Sequence, residues 1–303
     1  MRFSTLILQV LSLTASLGSA AVVERRQATT QVFKFSSPTS AEGIAQRSNG
    51  QLLVSFFDKA ELWTVDPATK KASKLVSFTG ATCSAGIVEI APDVFAVVAG
   101  QFSFSGGNKA GSWAIWKVDF TSGTAVASIL KAVPESGFFN GLTAFDNSTI
   151  LIGDASKGAV WRMDTKTGAY SIAIQDALMN PASNAGIPMG LDGLRYANGT
   201  VWFTNVSKNA LHKVSVDATG KATGSISTIW TNTFSDDLWV GPDGSAYVAT
   251  GSAGKVQKVG VDGKVSTVAS ISGSTAVVLG RTEADKNTLY IVTGQGVVAS
   301  VKV

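Results

Sequence analysis

The sequence predicts an all-β chain folded as a six-bladed β-propeller and closed into a ring by its own N-terminal strand. Three observations carry that expectation. A strand-and-turn unit recurs along the chain, two further strand-like runs precede its copies, and the chain stops one strand short of completing its last unit.

The recurring unit is "LWTVD" ending at Asp66, "IWKVD" at Asp119, "VWRMD" at Asp164, "HKVSVD" at Asp217 and "QKVGVD" at Asp262, so that successive aspartates stand alternately 53 and 45 residues apart. Each copy alternates apolar and polar residues and then meets a turn such as "PATKK", "TKTG" or "GK". That is the pattern of a half-buried strand entering a hairpin. Upstream lie "QLLVSFF", "VFAVVAG", "TILIGD", "TVWFTN", "SAYVATG" and "TLYIVTG". Further upstream lie "EGIAQ", "AGIVEI", "NGLTAF", "DGLRYA", "DDLWVG" and "TAVVLG". Six copies of each run imply six sheets of short strands, and a repeat of this length built of strands reads as propeller blades. No segment has the period of a long amphipathic helix, which argues against α/β folds. The last run, "VVASVKV", is a third strand, and the N-terminal run "TQVFKFSS" has no blade of its own. Adding the second to the first completes the sixth sheet and removes an open edge.

Composition narrows the function. The chain of 303 residues is 45% hydrophobic and 15% charged, with 31 glycines, so it can bury a large core. Its formal charge of +4 is spread over scattered Lys and Arg. A nucleic-acid partner would want clustered cations, so none is expected. The opening "MRFSTLILQVLSLTASLGSA" reads as a signal peptide over residues 1–20, with a single membrane span the weaker alternative because the apolar run is short. "AVVERRQ" then places a dibasic pair, Arg25-Arg26, where a pro-segment over 21–26 would be cut to leave Gln27 first; an exposed charged tail is the other reading. The expected domain is therefore 27–303, entering the secretory pathway, monomeric and without stable membrane insertion. Sequons at Asn147, Asn198 and Asn205 agree with that route. Cys83 has no cysteine to pair with and is expected to be a small buried apolar residue, not a nucleophile. His212 falls in a strand away from the axis and is expected to be structural.

The first strand of each blade runs along the central channel. Aligned on their shared apolar position, the six first strands present Glu42, Ala85, Asn140, Asp192, Asp236 and Thr275 to the axis. Asn140-Gly141 and Asp192-Gly193 look like turn dipeptides, but they recur at one place in the repeat, 52 residues apart. Carboxylates crowded into a channel repel, and a divalent cation would relieve them. Oxygen donors without His or Cys suit calcium better than zinc. A hydrogen-bonded polar plug is the alternative; no organic cofactor is expected.

Glu42-Gly43, "FFNGL" and "GLDGLRY" resemble the senescence-marker-protein/gluconolactonase-like propellers. The resemblance implies a divalent metal on Glu42, Asn140 and Asp192. It breaks at the second blade, where those lactonases hold a sugar-like substrate with Arg, Asn and Asp and this chain reads "GATCSAGIVEI". Phe56, Phe57, Phe102, Phe104, Phe138, Phe139, Met189 and Trp239, each of which taken singly could belong to the core between blades, are together expected to wall an apolar substrate pocket above the ring, and Thr275 is expected to contribute to substrate binding. The "NGL", "DGL" and "DDLWV" pattern also resembles the secreted fungal hetero-Diels–Alderases of tropolone-sesquiterpenoid biosynthesis. That resemblance implies a cycloaddition of an apolar small-molecule substrate with Asn140, Asp192 or Asp236 orienting its polar end. A calcium-dependent lactonase or esterase, with Asp236 as base, and a non-catalytic binding propeller are the alternatives.

Overall fold

The computed structural model describes residues 28–303 and is all-β, with no helix among the described residues. The expected signal peptide, the 21–26 segment and Gln27 lie outside the described residues. Strand β1 is Thr30–Lys34. The first blade follows as β2 Ala41–Gln46, β3 Leu52–Phe56, β4 Glu61–Asp66 and β5 Lys71–Ser77. The second holds β6 Cys83–Ala91 and β7 Val94–Gly100, a small hairpin β8 Phe102–Ser103 and β9 Gly107–Asn108, then β10 Ala114–Asp119 and β11 Val126–Ala132. The third is β12 Phe139–Asp146, β13 Thr149–Asp154, β14 Ala159–Asp164 and β15 Tyr170–Gln175. The fourth is β16 Leu191–Ala197, β17 Thr200–Asn205, β18 Ala210–Ser215 and β19 Ser227–Trp230. The fifth is β20 Leu238–Val240, β21 Ala246–Ala249, β22 Lys255–Val259 and β23 Val265–Ser270. The sixth is β24 Ser274–Leu279, β25 Thr288–Thr293 and β26 Val297–Lys302.

The sixth sheet runs β1-β26-β25-β24, with β1 antiparallel to β26 from Thr30 opposite Ser300 to Lys34 opposite Val297. The N-terminal strand thus closes the ring. Each first strand packs against the first strands of both neighbouring blades, which makes these six the wall of the channel. Second strands such as β13 and β25 are buried along their whole length because a neighbouring blade covers each face. They read as nearly unbroken apolar runs for that reason. The outermost strands, such as β5 and β11, are mostly exposed.

The repeated aspartates are turn caps. Asp66 accepts the backbone N–H groups of Ala68 and Thr69, Asp164 those of Lys166 and Thr167, and Asp217 those of Thr219 and Lys221. Such bonds close the hairpin and hold these carboxyls below their usual range. Two further aspartates tie down the loops entering the first strands of the first and third blades. Asp58 accepts from the N–H groups of Thr39 and Ser40, and Asp154 from those of Gly137 and Phe138.

Asn140-Gly141 and Asp192-Gly193 are not turns. A side chain at Gly193 would meet the Asp237 Cα at 2.6 Å, and one at Gly141 would strike the carbonyl of Asp192. Glycine is required there because adjacent channel strands approach backbone to backbone. At the same place the pairing with the second strand slips by one residue: Phe139 faces Asp154, but Leu142 already faces Ile152. Matching bulges occur in β2, β6, β16 and β24. Hydroxyls of the second strands bridge the gap. Thr204 Oγ1 accepts from Gly193 N and donates to the Asp236 carbonyl, and Ser55 does the same between Gly43 and Ala85.

Candidate functional site

The upper mouth is the end of the channel at which the first strands begin. There Glu42, Asp192 and Asp236 each bring a carboxylate oxygen within 4.8 Å of the others. Asn140 Nδ2 lies between them, donating to Glu42 Oε1 at 3.2 Å and to Asp192 Oδ1. Asn140 and Asp192 are buried, while Glu42 and Asp236 are partly accessible. The ring positions in the second and sixth blades add nothing polar at the centre. The Ala85 side chain has no donor or acceptor, and the Thr275 hydroxyl is spent on the Ala41 carbonyl at 2.8 Å.

Burial raises the proton affinity of all three carboxyls, and their mutual repulsion adds to it. Glu42 is pushed up to about 8 by burial and then by Asp192. Asp192 is pushed up to about 6 by burial, against hydrogen bonds from Asp236 and Asn140 that lower it. Asp236 is raised well above the usual carboxylate range by burial, then by Asp192 and Glu42. At neutral pH the cluster therefore holds protons, and a neutral carboxyl is a hydrogen-bond donor. The donor set is also one that a hard cation takes: three carboxylates, and an amide whose oxygen faces the same point if the group is turned over. The nearby thiol of Cys83 is pushed up to about 12 by burial and does not compete as a ligand.

The aromatic residues divide between three places. Phe57, Phe102 and Phe138 pack on one another with ring centroids 4.5 and 5.3 Å apart, backed by Trp113 at 5.0 Å from Phe138. They are buried in one cluster with Cys83 and Ala85, so they support the ring from behind and do not wall an open pocket. Phe104, on the β8–β9 hairpin, is 66% exposed, and Met189 is half-buried against the same cluster. Phe56 and Phe139 correct the expectation. Phe56 turns into the core beside Phe35 at 4.9 Å, and Phe139 packs on Trp161 at 6.0 Å. Consecutive strand residues point to opposite faces, so one member of each Phe-Phe pair must leave the mouth. Trp239 departs from the expectation as well, since it lines the other end of the channel.

Two sequons lie on exposed turns: Asn147 between β12 and β13, and Asn198 between β16 and β17. Asn205 does not fit glycosylation of this fold. It is fully buried, and its Nδ2 donates to the carbonyls of Leu178 and Asn180. His212 is buried, stacked on Phe203 at 4.9 Å and bonded to Thr228.

A second ring lies three residues beyond the first: Ala45, Val88, Thr143, Arg195, Trp239 and Val278. All six residues line a cavity of about 390 Å³ at the lower mouth. Arg195 forms a part-buried ion pair with the buried Asp237 at 2.6 Å, and Arg281 pairs with Glu89 at the rim. Asp237 occupies the position that is glycine in four other blades. None of these charged residues stood out in the sequence, because the bulge shifts the axis-facing position from the second residue after the ring to the third.

No family model matches the chain. Over 296 residues it is 26% identical to a candidate hetero-Diels-Alderase from a Phoma species, covering 84% of this chain and 83% of that one. It is 25% identical over 308 residues to the candidate hetero-Diels-Alderase asR5 of Sarocladium schorii, covering 86% and 76% of the two chains. The chain resembles hetero-Diels-Alderases in sequence. Among solved structures it superposes on regucalcin, a calcium-binding protein of Agrobacterium tumefaciens, with a TM-score of 0.66 and 13% identity over 91% of this chain and 93% of the other. A gluconolactonase of Xanthomonas campestris gives a TM-score of 0.64 at 13% identity, over 92% and 91% of the two chains. At that identity the likeness is one of fold.

Proposed function

We propose that this chain is a small-molecule enzyme of the hetero-Diels–Alderase kind, acting at the upper mouth. The observation that carries the reading is the acid ring itself. Glu42, Asp192 and Asp236 are too close, with Asp192 buried, to ionise together, so the ring presents a proton-bearing carboxyl beside an apolar cluster. The sequence likeness to candidate hetero-Diels-Alderases supports the same reading.

A hetero-Diels–Alder reaction converts three π bonds into one π bond and two σ bonds, with no nucleophile and no net proton transfer. Its demands are proximity and polarisation. The carboxyl of Asp236 or Glu42 donates a hydrogen bond to the carbonyl oxygen of an unsaturated carbonyl partner and withdraws electron density from it. Asn140 holds the neighbouring carboxylates in place through its two donated bonds. Phe104 and Met189 meet the apolar body of the substrate. The one histidine is enclosed away from the axis and takes no part.

The oxygen cluster favours a second reading, a metal-dependent lactone or ester hydrolase. A divalent cation on Glu42, Asn140 and Asp192 would supply Lewis-acid polarisation of a carbonyl there. Asp236, which stands within the same cluster, would then receive the proton of the attacking water. The secretory route, glycans on Asn147 and Asn198, and action as a monomer belong to the same proposal.

The deciding experiment incubates the purified chain with an α,β-unsaturated carbonyl compound and an electron-rich alkene, and follows rate and enantiomeric excess. Faster, stereoselective cycloaddition that survives a chelator is the expected result. Buffer-level rate and racemic product, with chelator-sensitive hydrolysis of lactones or esters, would favour the second reading.

A further inference from the structure

The lower mouth is a cavity of about 390 Å³, to which the first strands of all six blades contribute. That is within the usual size of small-molecule sites, roughly 300–1,000 Å³. Its wall is unlike the rest of the channel. Ile44, Val88 and Val278 give apolar surface, and Trp239 adds its indole ring. Among these, Val88, Trp239 and Val278 are only partly buried, so this surface remains open to a ligand.

Two guanidinium groups stand in that wall. Arg195 uses Nη1 on the carbonyls of Leu142 and Leu194 and Nη2 on Asp237 at 2.6 Å, which locks the group in place. Arg281 uses only Nη1, on Gln46 O at 3.1 Å and on Glu89. Among the described residues, Nε of both arginines and Nη2 of Arg281 carry no hydrogen bond. An arginine edge is a planar donor suited to a carbonyl or carboxylate oxygen. Asp237 and Glu89 pair with the two guanidinium groups, so the site does not depend on a net positive field and suits a single acceptor on an apolar body.

We propose that the lower mouth is a second small-molecule site, separate from the acid ring, that takes an apolar ring-sized body against Trp239, Val88 and Val278 and binds its carbonyl or carboxylate oxygen through Arg281. It stands whether or not the chain catalyses cycloaddition, because its readout is binding.

The test is isothermal titration of the full chain with three probes of one shape: 2-naphthoate, 2-acetylnaphthalene and naphthalene. The expected result is one saturable site for the two acceptor-bearing probes, with naphthalene weaker by about tenfold, the loss of one charge-assisted or neutral hydrogen bond. If 2-naphthoate and 2-acetylnaphthalene bind alike, the acceptor is any carbonyl oxygen; if the first is clearly tighter, it is a carboxylate. Arg281→Met, at a rim residue 44% exposed, is expected to weaken both by about fivefold or more. Val88→Phe, which fills the cavity and removes no donor, is expected to abolish binding, while Asp192→Asn at the upper mouth leaves it within about twofold. The proposal is overturned by the absence of a saturable site, by naphthalene binding as tightly as the others, or by binding that follows Asp192→Asn and ignores Arg281→Met and Val88→Phe.

Discussion

The two mouths of one channel are built from the same six strands, three residues apart, and their chemistry is opposite. The upper ring gathers three carboxyls and an amide with no basic partner in the cluster. The lower ring places Arg195 and Trp239 among small apolar residues and pairs its charge with Asp237 one layer above. In the upper ring, crowding is relieved by protons or by a cation. In the lower ring, charge is already neutralised by an ion pair, and what remains is apolar wall with spare donors. The repeat determines where a side chain can reach the axis, and the residue placed there determines what that layer does.

The largest effect expected from breaking this contrast is at the link between the layers. Arg195→Met leaves Asp237 buried without its partner, and removing one side of a buried pair costs about 3 kcal/mol or more. Denaturant unfolding of the variant measures it, and a loss below about 1 kcal/mol would show that the two layers are not coupled. Next is the chemistry of the upper ring. Asp236→Ala is expected to lower the cycloaddition rate by about 100-fold, the scale for losing a placed hydrogen-bond donor, while leaving 2-naphthoate binding at the lower mouth intact.

A smaller effect distinguishes protons from metal in the ring. The folded-state pKa values of Glu42 and Asp192 are raised to about 8 and about 6, so the folded chain holds more protons than the unfolded one. Stability from these groups is complete at pH below the ordinary carboxylate range and is lost as pH rises through about 6 and on to about 8. The melting temperature should therefore fall across that window. Glu42→Gln should flatten the fall, and millimolar calcium should oppose it if the ring takes the ion. A profile that rises over the same window would sink the protonated-ring description. The smallest effect is at the surface. Asn147→Gln should change stability by less than about 0.5 kcal/mol and, in a secreted preparation, remove one glycan's mass. Asn205→Gln should remove no glycan mass and destabilise the fold through its lost bonds to Leu178 and Asn180.

Much of the upper mouth was legible before any coordinates. The six-fold recurrence of a short apolar strand, with a polar residue at its head in every blade but the second, is enough to bring Glu42, Asn140, Asp192 and Asp236 to one axis. The aromatics were harder to place. "SFF" and "GFFN" show that two phenylalanines are adjacent, and only the register shows that Phe57 and Phe138 stack on each other while Phe56 packs on Phe35 and Phe139 on Trp161. Asn205 carried a sequon, yet its place at the end of β17 commits its amide to a loop carbonyl.

The sequence by itself determined the blade count, the strand that closes the ring and the identity of the upper acid cluster, because six copies of one strand pattern with a spare N-terminal strand leave one closed arrangement. The tertiary structure alone decided the second ring, the Arg195–Asp237 pair and the placement of Trp239 at the lower mouth. The physical reason is the bulge at the head of the channel strands. It inserts one residue where neighbouring backbones touch across glycine, and so moves the next axis-facing side chain from Leu142 to Thr143, and likewise from Leu194 to Arg195.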